Sequence, residues 1–198
     1  MKDNQHWTFV CAALSVSLAL PLLASAKGPS VPAPNIPLQN VETQEIISLT
    51  NEISKTEHTV IVFVSSECLD TSALPSRVRS LRTIVDGRPV SVVGVNSHLN
   101  QTAQNITSQR YRLGLDIPIF KDSDQILANY FGVHRSGEYL VFDQRGMMLQ
   151  RGYFHDKAPE AIEARLSSDS ATLTKLMSES EEQHASAYHA GCPIIRAR

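Results

Sequence analysis

The sequence predicts an α/β domain with a mixed central sheet and helices on both of its faces, which makes three layers. Two uncharged runs, Thr59–Val64 and Val90–Val95, have the β-branched and apolar composition of buried strands. A helical pattern separates the two runs, so the strands that they form must be parallel. Two further strand patterns flank the turn residues 143–146 and predict a β-hairpin in the same sheet.

Composition limits the classes of function that the chain can have. Its 198 residues, of which 42% are hydrophobic, correspond to one domain with appendages. The formal net charge is −2 and the Lys and Arg residues form no run, so we expect neither a nucleic-acid partner nor an anionic membrane surface. No helix-turn-helix or zinc-finger spacing is present, and no His or Cys motif predicts a metal or another cofactor.

The N-terminal segment, residues 1–26, has the features of a secretory signal peptide. The uncharged run Trp7–Ala26 follows Lys2 and ends in Ala24-Ser25-Ala26, small residues that suit a cleavage site. An uncleaved membrane anchor is the alternative, but Pro21 weakens a spanning helix and the run barely reaches the ~20 residues that a bilayer requires. We therefore expect cleavage, a periplasmic or secreted protein, and no stable membrane insertion.

The segment between the signal and the first buried strand divides into two parts. Residues 27–40 contain four prolines, which predict an extended linker outside the packed core. Ile46, Leu49 and Ile53 then recur at helical spacing and predict an amphipathic helix over residues 41–56. We expect the globular domain to cover residues 41–168.

Five more helices are predicted after the first buried strand, over residues 72–85, 101–113, 125–131, 159–166 and 171–187. Pro75 fits the first turn of the first of these helices, and Gly114 and Gly132 end the second and the third. Asp122 or Ser123 can cap the third helix. A short extended segment covers residues 117–120, and the hairpin strands cover 138–142 and 147–154. The fifth helix is strongly polar and forms, with a Gly-Cys tail, a C-terminal region over residues 169–198.

Cys68 follows the first buried strand, at the carboxyl end of the sheet where sites form in open α/β folds. A cysteine just before a helix gains from the backbone N–H groups of the first turn, which favour the thiolate. Glu67 and Asp70 flank it and oppose ionisation through their like charge. Two alternatives therefore stay open, a reactive thiolate and an inert buried cysteine.

Removal of the signal segment leaves two of the three cysteines, Cys68 and Cys192. An oxidising compartment permits a disulfide between them. Such a bond would close a loop of over a hundred residues and stabilise the fold by on the order of 4–5 kcal/mol. A purely structural disulfide is therefore one alternative.

Four segments resemble the redoxin branch of the thioredoxin superfamily, the alkyl hydroperoxide reductase and thiol-specific antioxidant (peroxiredoxin-like) group. They are "VIVFVSSEC" (60–68), "VSVVGVNS" (90–97), "IPIFKDSDQILANYFGV" (117–133) and "EYLVFDQRGMMLQRGYFHD" (138–156). The resemblance implies a thioredoxin-like three-layer sandwich and a thiol-dependent oxidoreductase without a cofactor. Its substrate would be a peroxide or a protein disulfide, and its electron donor another protein.

The resemblance also implies site residues. Cys68 stands at the position of the attacking cysteine, and Ser65 at the position whose hydroxyl binds the thiolate and the peroxide. Cys192 would act as a resolving cysteine, which is the alternative to a structural role. Gly137 occupies the position where thioredoxins carry a cis-proline and peroxiredoxins an arginine, and Arg135 lies close enough in sequence to substitute.

The chain also departs from the family pattern, since Ile61 replaces the proline that opens the peroxiredoxin motif, Leu69 replaces the proline after the cysteine, and no CxxC is present. A second hypothesis is favoured by the missing proline before the cysteine, by the lack of a cis-proline or arginine at Gly137, and by the acidic neighbours of the cysteine. The alternative is therefore a degenerate, non-catalytic binding module, or a copper-delivery module similar to Sco proteins. His134 would be the copper-ligating histidine of such a module, but Ser72 replaces its second thiol, and one thiolate with one imidazole makes a weak Cu(I) site.

Overall fold

The computed structural model describes residues 31–68, 73–85, 87–154, 157–167 and 191–196. The predicted signal segment and the predicted helix over 171–187 lie outside these residues. The described elements are, in order, β1 Pro37–Asn40, β2 Ile46–Ser48, α1 Leu49–Ile53, β3 His58–Phe63, α2 Leu74–Ile84, β4 Val90–Asn96, α3 Ala103–Leu113, β5 Ile119–Lys121, α4 Ile126–Tyr130, β6 Glu138–Asp143, β7 Met148–Tyr153 and α5 Ala158–Leu166. No helix in this part of the chain is long and apolar enough to cross a membrane.

The seven strands form one mixed sheet in the order β2-β1-β5-β4-β3-β6-β7. The two uncharged runs form the central pair β3 and β4, which are parallel with Ile61 opposite Val93. Strand β5 continues the parallel part beside β4, and the β6–β7 hairpin adds antiparallel strands beside β3. The predicted mixed sheet with a terminal hairpin is confirmed.

Alternation along β3 divides the core between the two faces of the sheet. Val60 and Val62 belong to one buried apolar cluster, which also contains residues of α2, α3 and α5. Ile61 and Phe63 belong to a second cluster, which contains residues of α1 and α4. Helices therefore cover both faces, as the three-layer prediction requires.

Two expectations for the segment before β3 are wrong. Residues 36–40 do not lie outside the core, since Leu38 is 1% exposed and β1 pairs with both β2 and β5. Proline is tolerated there because Pro37 is the exposed first residue of its strand. The predicted helix over 41–56 is reduced to α1, because Ile46 instead starts the edge strand β2, where it is 62% exposed.

Capping residues behave largely as predicted. Thr102 precedes α3 and its side chain accepts a hydrogen bond from the Asn105 N–H, while Gly114 ends α3 in the left-handed conformation at φ 63°. Asp122 fixes the start of α4 from the end of β5. Its carboxylate accepts hydrogen bonds from the N–H groups of Leu127 (3.3 Å) and Ala128 (3.1 Å).

Replacement of Asp122 by alanine is expected to destabilise the fold by roughly 2–4 kcal/mol, because it removes charge-assisted hydrogen bonds from a side chain that is 2% exposed. The Asp122 carboxylate also accepts a hydrogen bond from Ser97 Oγ at 2.8 Å, which ties β4 to α4. Urea unfolding measures the loss. Asp124→Ala, at an exposed position two residues later, is the control and should change stability by less than about 0.5 kcal/mol. Equal losses for the two variants would contradict this role of Asp122.

Candidate functional site

A disulfide bond joins Cys68 to Cys192 at the carboxyl edge of the sheet. Cys68 follows β3 in the chain, and the Cα atoms of the two residues are 5.6 Å apart, within the usual range for a disulfide. Cys68 is 4% exposed, whereas Cys192 is half-buried. Cys68 and Cys192, whose pairing the sequence left open, are therefore bonded, and Cys192 is the less buried of the two.

The tail segment, residues 191–196, lies along the loop that precedes β6. The Ser136 N–H donates to the Cys192 carbonyl oxygen at 3.0 Å, and the Cys192 N–H donates to Ser136 Oγ at 3.0 Å. The Ile194 N–H donates to the His134 carbonyl oxygen at 2.9 Å, and Arg135 faces Pro193 in an antiparallel bridge. The tail segment therefore pairs with residues 134–136 as an added β-strand does.

Gly191 allows this close approach. Its φ is +77°, and a Cβ at this position would lie 2.0 Å from the Ser136 carbonyl oxygen. The same Cβ would lie 2.6 Å from the Tyr153 hydroxyl oxygen. Real Cβ atoms do not approach backbone oxygen that closely, so a side chain at position 191 is incompatible with the docked tail segment.

The far end of the tail segment is also anchored. Ile194 is 6% exposed and belongs to the same apolar cluster as Phe131. The Ile195 carbonyl oxygen accepts hydrogen bonds from the Leu99 N–H (3.2 Å) and from Gln125 Nε2 (2.6 Å). These contacts hold the tail segment across the carboxyl ends of β4 and β5.

A buried layer of amides and hydroxyls surrounds the loop that carries Cys68. Ser65 Oγ accepts hydrogen bonds from Gln101 Nε2 (3.0 Å) and from the Glu67 N–H (3.2 Å). Gln101 Oε1 in turn accepts from the Ser66 N–H (2.9 Å) and from Asn96 Nδ2 (2.6 Å). Since a hydroxyl has one proton and two acceptor positions, both acceptor positions of Ser65 are engaged and its proton stays available for donation.

The same layer contains a buried cation and a buried imidazole. Lys121 Nζ donates to Asn96 Oδ1 at 3.1 Å and to the His98 carbonyl oxygen, and burial lowers the pKa of Lys121. The His98 side chain is 3% exposed, and neither ring nitrogen has a hydrogen-bond partner among the described residues. Burial first, and the Lys121 charge second, lower the pKa of His98 to about 4. At neutral pH the imidazole is therefore uncharged.

Acidification is expected to destabilise the protein through His98. Its pKa is about 4 in the folded protein and about 6.5 otherwise, so the unfolded chain binds the proton first as the pH falls below 6.5. As the pH falls from 7.5 to 4.5, the free energy of unfolding of His98→Leu should rise by about 2 kcal/mol relative to that of the wild type. Urea unfolding of both proteins at the two pH values measures this, because contributions from carboxylates cancel in the comparison. A stability difference between the proteins that does not change with pH would contradict it.

The four site residues predicted from sequence lie along one edge of the molecule. Cys68 and Cys192 are bonded, and Ser65 lies in the same loop as Cys68. Arg135 is half-buried, and its backbone lies beside Pro193, the neighbour of Cys192. Helix α2 begins at Leu74, two residues later than predicted, and residues 69–72 are not described. A contribution of the α2 N-terminus to ionisation of Cys68 therefore stays a prediction.

Sequence reasoning missed Ser136 and Gln101, which hold the tail segment and the Cys68 loop. Ser136 is 0% exposed and Gln101 is 2% exposed. No local pattern marks either residue, since each acts on a segment distant in sequence. The glycine directly before Cys192 was the one available signal of close packing.

The described part of the chain contains no group of three or more His, Cys, Asp or Glu side chains that could hold a metal ion. His134, the histidine considered for copper, is exposed, and its N–H donates to Glu138 Oε1 at 2.7 Å. Cys68 is engaged in the disulfide, and a disulfide sulfur is not a thiolate ligand. Copper delivery therefore gains no support from this geometry.

Comparison with known proteins identifies the fold. No family model matches the chain, and no curated protein sequence matches it. A hypothetical protein from Sinorhizobium meliloti superposes with a TM-score of 0.61 at 17% identity, over 70% of this chain and 84% of that one. A protein assigned as the thiol:disulfide interchange protein DsbE from Chlorobium tepidum gives 0.58 at 17% identity, over 73% and 96%. This chain has the thioredoxin-like fold.

A third similar structure supports the same thioredoxin-like assignment. Peroxiredoxin Q from Xanthomonas campestris superposes with a TM-score of 0.55 at 15% identity, over 68% of this chain and 90% of that one. The thioredoxin-like fold that the resemblance implies is confirmed. The sequence identities are low, so the likeness concerns architecture.

Proposed function

We propose that the chain is a thiol:disulfide oxidoreductase whose redox pair is Cys68 and Cys192. The observation that carries the proposal is the disulfide itself. It links the carboxyl end of a central strand to a short segment that is docked by main-chain hydrogen bonds. A CxxC motif keeps both sulfur atoms in one turn, whereas here the second sulfur lies on a separate segment, 124 positions away.

The proposed reaction transfers two electrons to a polypeptide disulfide. In the reduced protein, the Cys68 thiolate attacks one sulfur of the substrate disulfide and expels the other sulfur as a thiolate. The Cys192 thiolate then attacks Cys68 Sγ, which releases the second substrate sulfur and forms the Cys68–Cys192 bond. The substrate disulfide is reduced to two thiols, and the two cysteines of the protein are oxidised.

The residues around Cys68 fit this role. The Ser65 hydroxyl, with its acceptor positions engaged, can donate its proton to a Cys68 thiolate. The buried Lys121 cation lies in the same hydrogen-bonded layer and favours negative charge nearby. Arg135, beside the tail segment, is the second candidate for stabilising the thiolate.

Export is part of the proposal. Its support is the charge-free segment over residues 7–26 and the disulfide, since bonds of this kind persist in oxidising compartments. We place the active protein in the periplasm or outside the cell.

The proposal is tested by measuring, as an increase in turbidity, how fast dithiothreitol reduces insulin. We expect the wild-type protein to accelerate this reduction and the Cys68→Ser variant not to accelerate it. When reduced Cys192→Ser is freed of dithiothreitol and then mixed with insulin, it should accumulate a mixed disulfide on Cys68, detected by its mass, because no resolving thiol is present to cleave it. In the chain that retains its signal segment, Cys11→Ser removes the third cysteine and is the matched control, which should keep the wild-type rate. Full activity of Cys68→Ser would refute the proposal. If Cys68 reacts with hydrogen peroxide to give a sulfenic acid but not with insulin, the substrate is a peroxide instead.

A further inference from the structure

The loop that receives the tail segment, residues 131–136, is also bound by a carboxylate of β6. Glu138 Oε1 accepts hydrogen bonds from the His134 N–H at 2.7 Å and from the Arg135 N–H at 2.9 Å. The Glu138 side chain is 14% exposed, and hydrogen bonds to a charged acceptor are stronger than those between neutral groups. Glu138 therefore fixes the middle of this loop.

Arg151 of the neighbouring strand β7 binds both the carboxylate and the start of the loop. Its Nη2 donates to Glu138 Oε2 at 2.7 Å and to the Gly132 carbonyl oxygen at 2.8 Å. Its Nη1 donates to the Phe131 carbonyl oxygen at 2.6 Å. The guanidinium thus fixes the first two residues of the loop, and the carboxylate fixes the next part. We call Glu138 and Arg151 the loop clamp.

Residues of the same loop carry the groups that bind the tail segment. His134 donates its N–H to the loop clamp, and its carbonyl oxygen accepts the Ile194 N–H at 2.9 Å. The Val133 carbonyl oxygen accepts a hydrogen bond from Arg196 Nη2, at the far end of the tail segment. Because the loop is short, few of its conformations allow both sets of hydrogen bonds to form. The loop clamp therefore favours the loop conformation on which the tail segment docks.

We propose that Glu138 and Arg151 are positioning residues, which hold Cys192 in reach of Cys68. They act through the loop and the tail segment, and so raise the effective concentration of one sulfur atom at the other. By linkage, an interaction that favours the docked tail segment also favours the disulfide. This inference deepens the proposed function, on which it rests for the exchange reaction, by naming the residues that place the resolving sulfur.

The test measures the equilibrium of the disulfide with glutathione in the full chain with Cys11→Ser. Two molecules of reduced glutathione transfer two electrons and two protons to the Cys68–Cys192 bond, which gives two protein thiols and one molecule of oxidised glutathione. Glu138→Ala removes both hydrogen bonds that fix the middle of the loop. We expect this variant to favour the reduced form at least about tenfold, which is a rise of at least about 30 mV in reduction potential.

Asp143, at the opposite end of β6, provides the matched control. Its side chain is 17% exposed, and its carboxylate accepts hydrogen bonds from the N–H groups of Arg145 (3.0 Å) and Met147 (2.8 Å). It also pairs with the Arg145 guanidinium at 3.1 Å. Asp143→Ala therefore removes the same kinds of interaction, but at the hairpin turn. It should lower the urea midpoint and change the glutathione equilibrium less than about twofold, because distant sites act independently.

A second clamp variant, Arg151→Met, guards against misfolding of Glu138→Ala. It removes the guanidinium and should shift the glutathione equilibrium in the same direction. A folded clamp variant with the wild-type equilibrium, or an equal shift in Asp143→Ala, would overturn the inference. The insulin assay separates this failure from failure of the proposed function. Acceleration that requires Cys68, together with unshifted clamp variants, keeps the oxidoreductase and removes the role of the clamp.

Discussion

Reduction of the Cys68–Cys192 bond is expected to lower the free energy of unfolding by about 5 kcal/mol. The bond closes a loop between residues 124 positions apart. A cross-link over such a distance removes conformational entropy from the unfolded chain, and the loss grows with the logarithm of loop length. Urea unfolding of the oxidised and the reduced protein at one pH measures the difference as a shift of the midpoint.

Two variants control this measurement. Cys192→Ser should unfold at the same urea concentration with and without reductant, because it cannot form the bond. Cys11→Ser should keep the full difference between the oxidised and the reduced protein. A difference below about 1 kcal/mol in the wild type would mean that the bond does not constrain the unfolded chain as the loop length requires.

The substitution Gly191→Ala is expected to disfavour the disulfide by at least about 100-fold. Its Cβ would lie 2.0 Å from the Ser136 carbonyl oxygen, so the tail segment must lift away. Hydrogen bonds between Cys192 and Ser136, worth about 1 kcal/mol each, are then lost. The left-handed φ adds roughly 1–2 kcal/mol of strain. Together these losses correspond to at least two factors of ten in the equilibrium constant.

Titration in a glutathione buffer, with the bonded fraction read by mass after alkylation, measures this change. Gly87→Ala is the matched control because Gly87 has nearly the same φ, +73°, but, its chain neighbours aside, no atom of the described residues lies within 4 Å of a Cβ at this position. It should lose stability through the same backbone strain and leave the disulfide equilibrium unchanged. Equal effects of the two substitutions on the equilibrium would show that the tail segment is not held as described.

The centre of the fold was predictable because its signals are local. Strands β3 and β4 consist of uncharged β-branched runs, and a helical pattern between them requires a parallel pair. The segment before β3 was not predictable in the same way. Ile46 and Leu49 fit helical spacing, but Ile46 is placed in an edge strand by its pairing with Gln39 of β1, a contact that no local pattern encodes.

The functional site likewise combines features that local sequence patterns predict with contacts that they do not predict. The position of Cys68 at the end of a core strand follows from local patterns, and the pairing with Cys192 could be stated from sequence only as one alternative. In the structure, Cys192 is held beside Cys68 by its hydrogen bonds with Ser136, which lies 56 positions before Cys192. Gln101 likewise reaches Ser65 from 36 positions away. Such contacts depend on the folded topology, so the sequence of one chain does not reveal them.

The reduction potential of the Cys68–Cys192 pair tests the central proposal most directly. Equilibration of the folded protein with defined ratios of reduced and oxidised glutathione gives the potential from the bonded fraction. An exchange-active pair should equilibrate within the range of known oxidoreductases, about −120 to −270 mV. A bond that stays fully formed below about −300 mV, and that exchanges with no external thiol in the native state, would identify a structural cross-link and contradict the oxidoreductase.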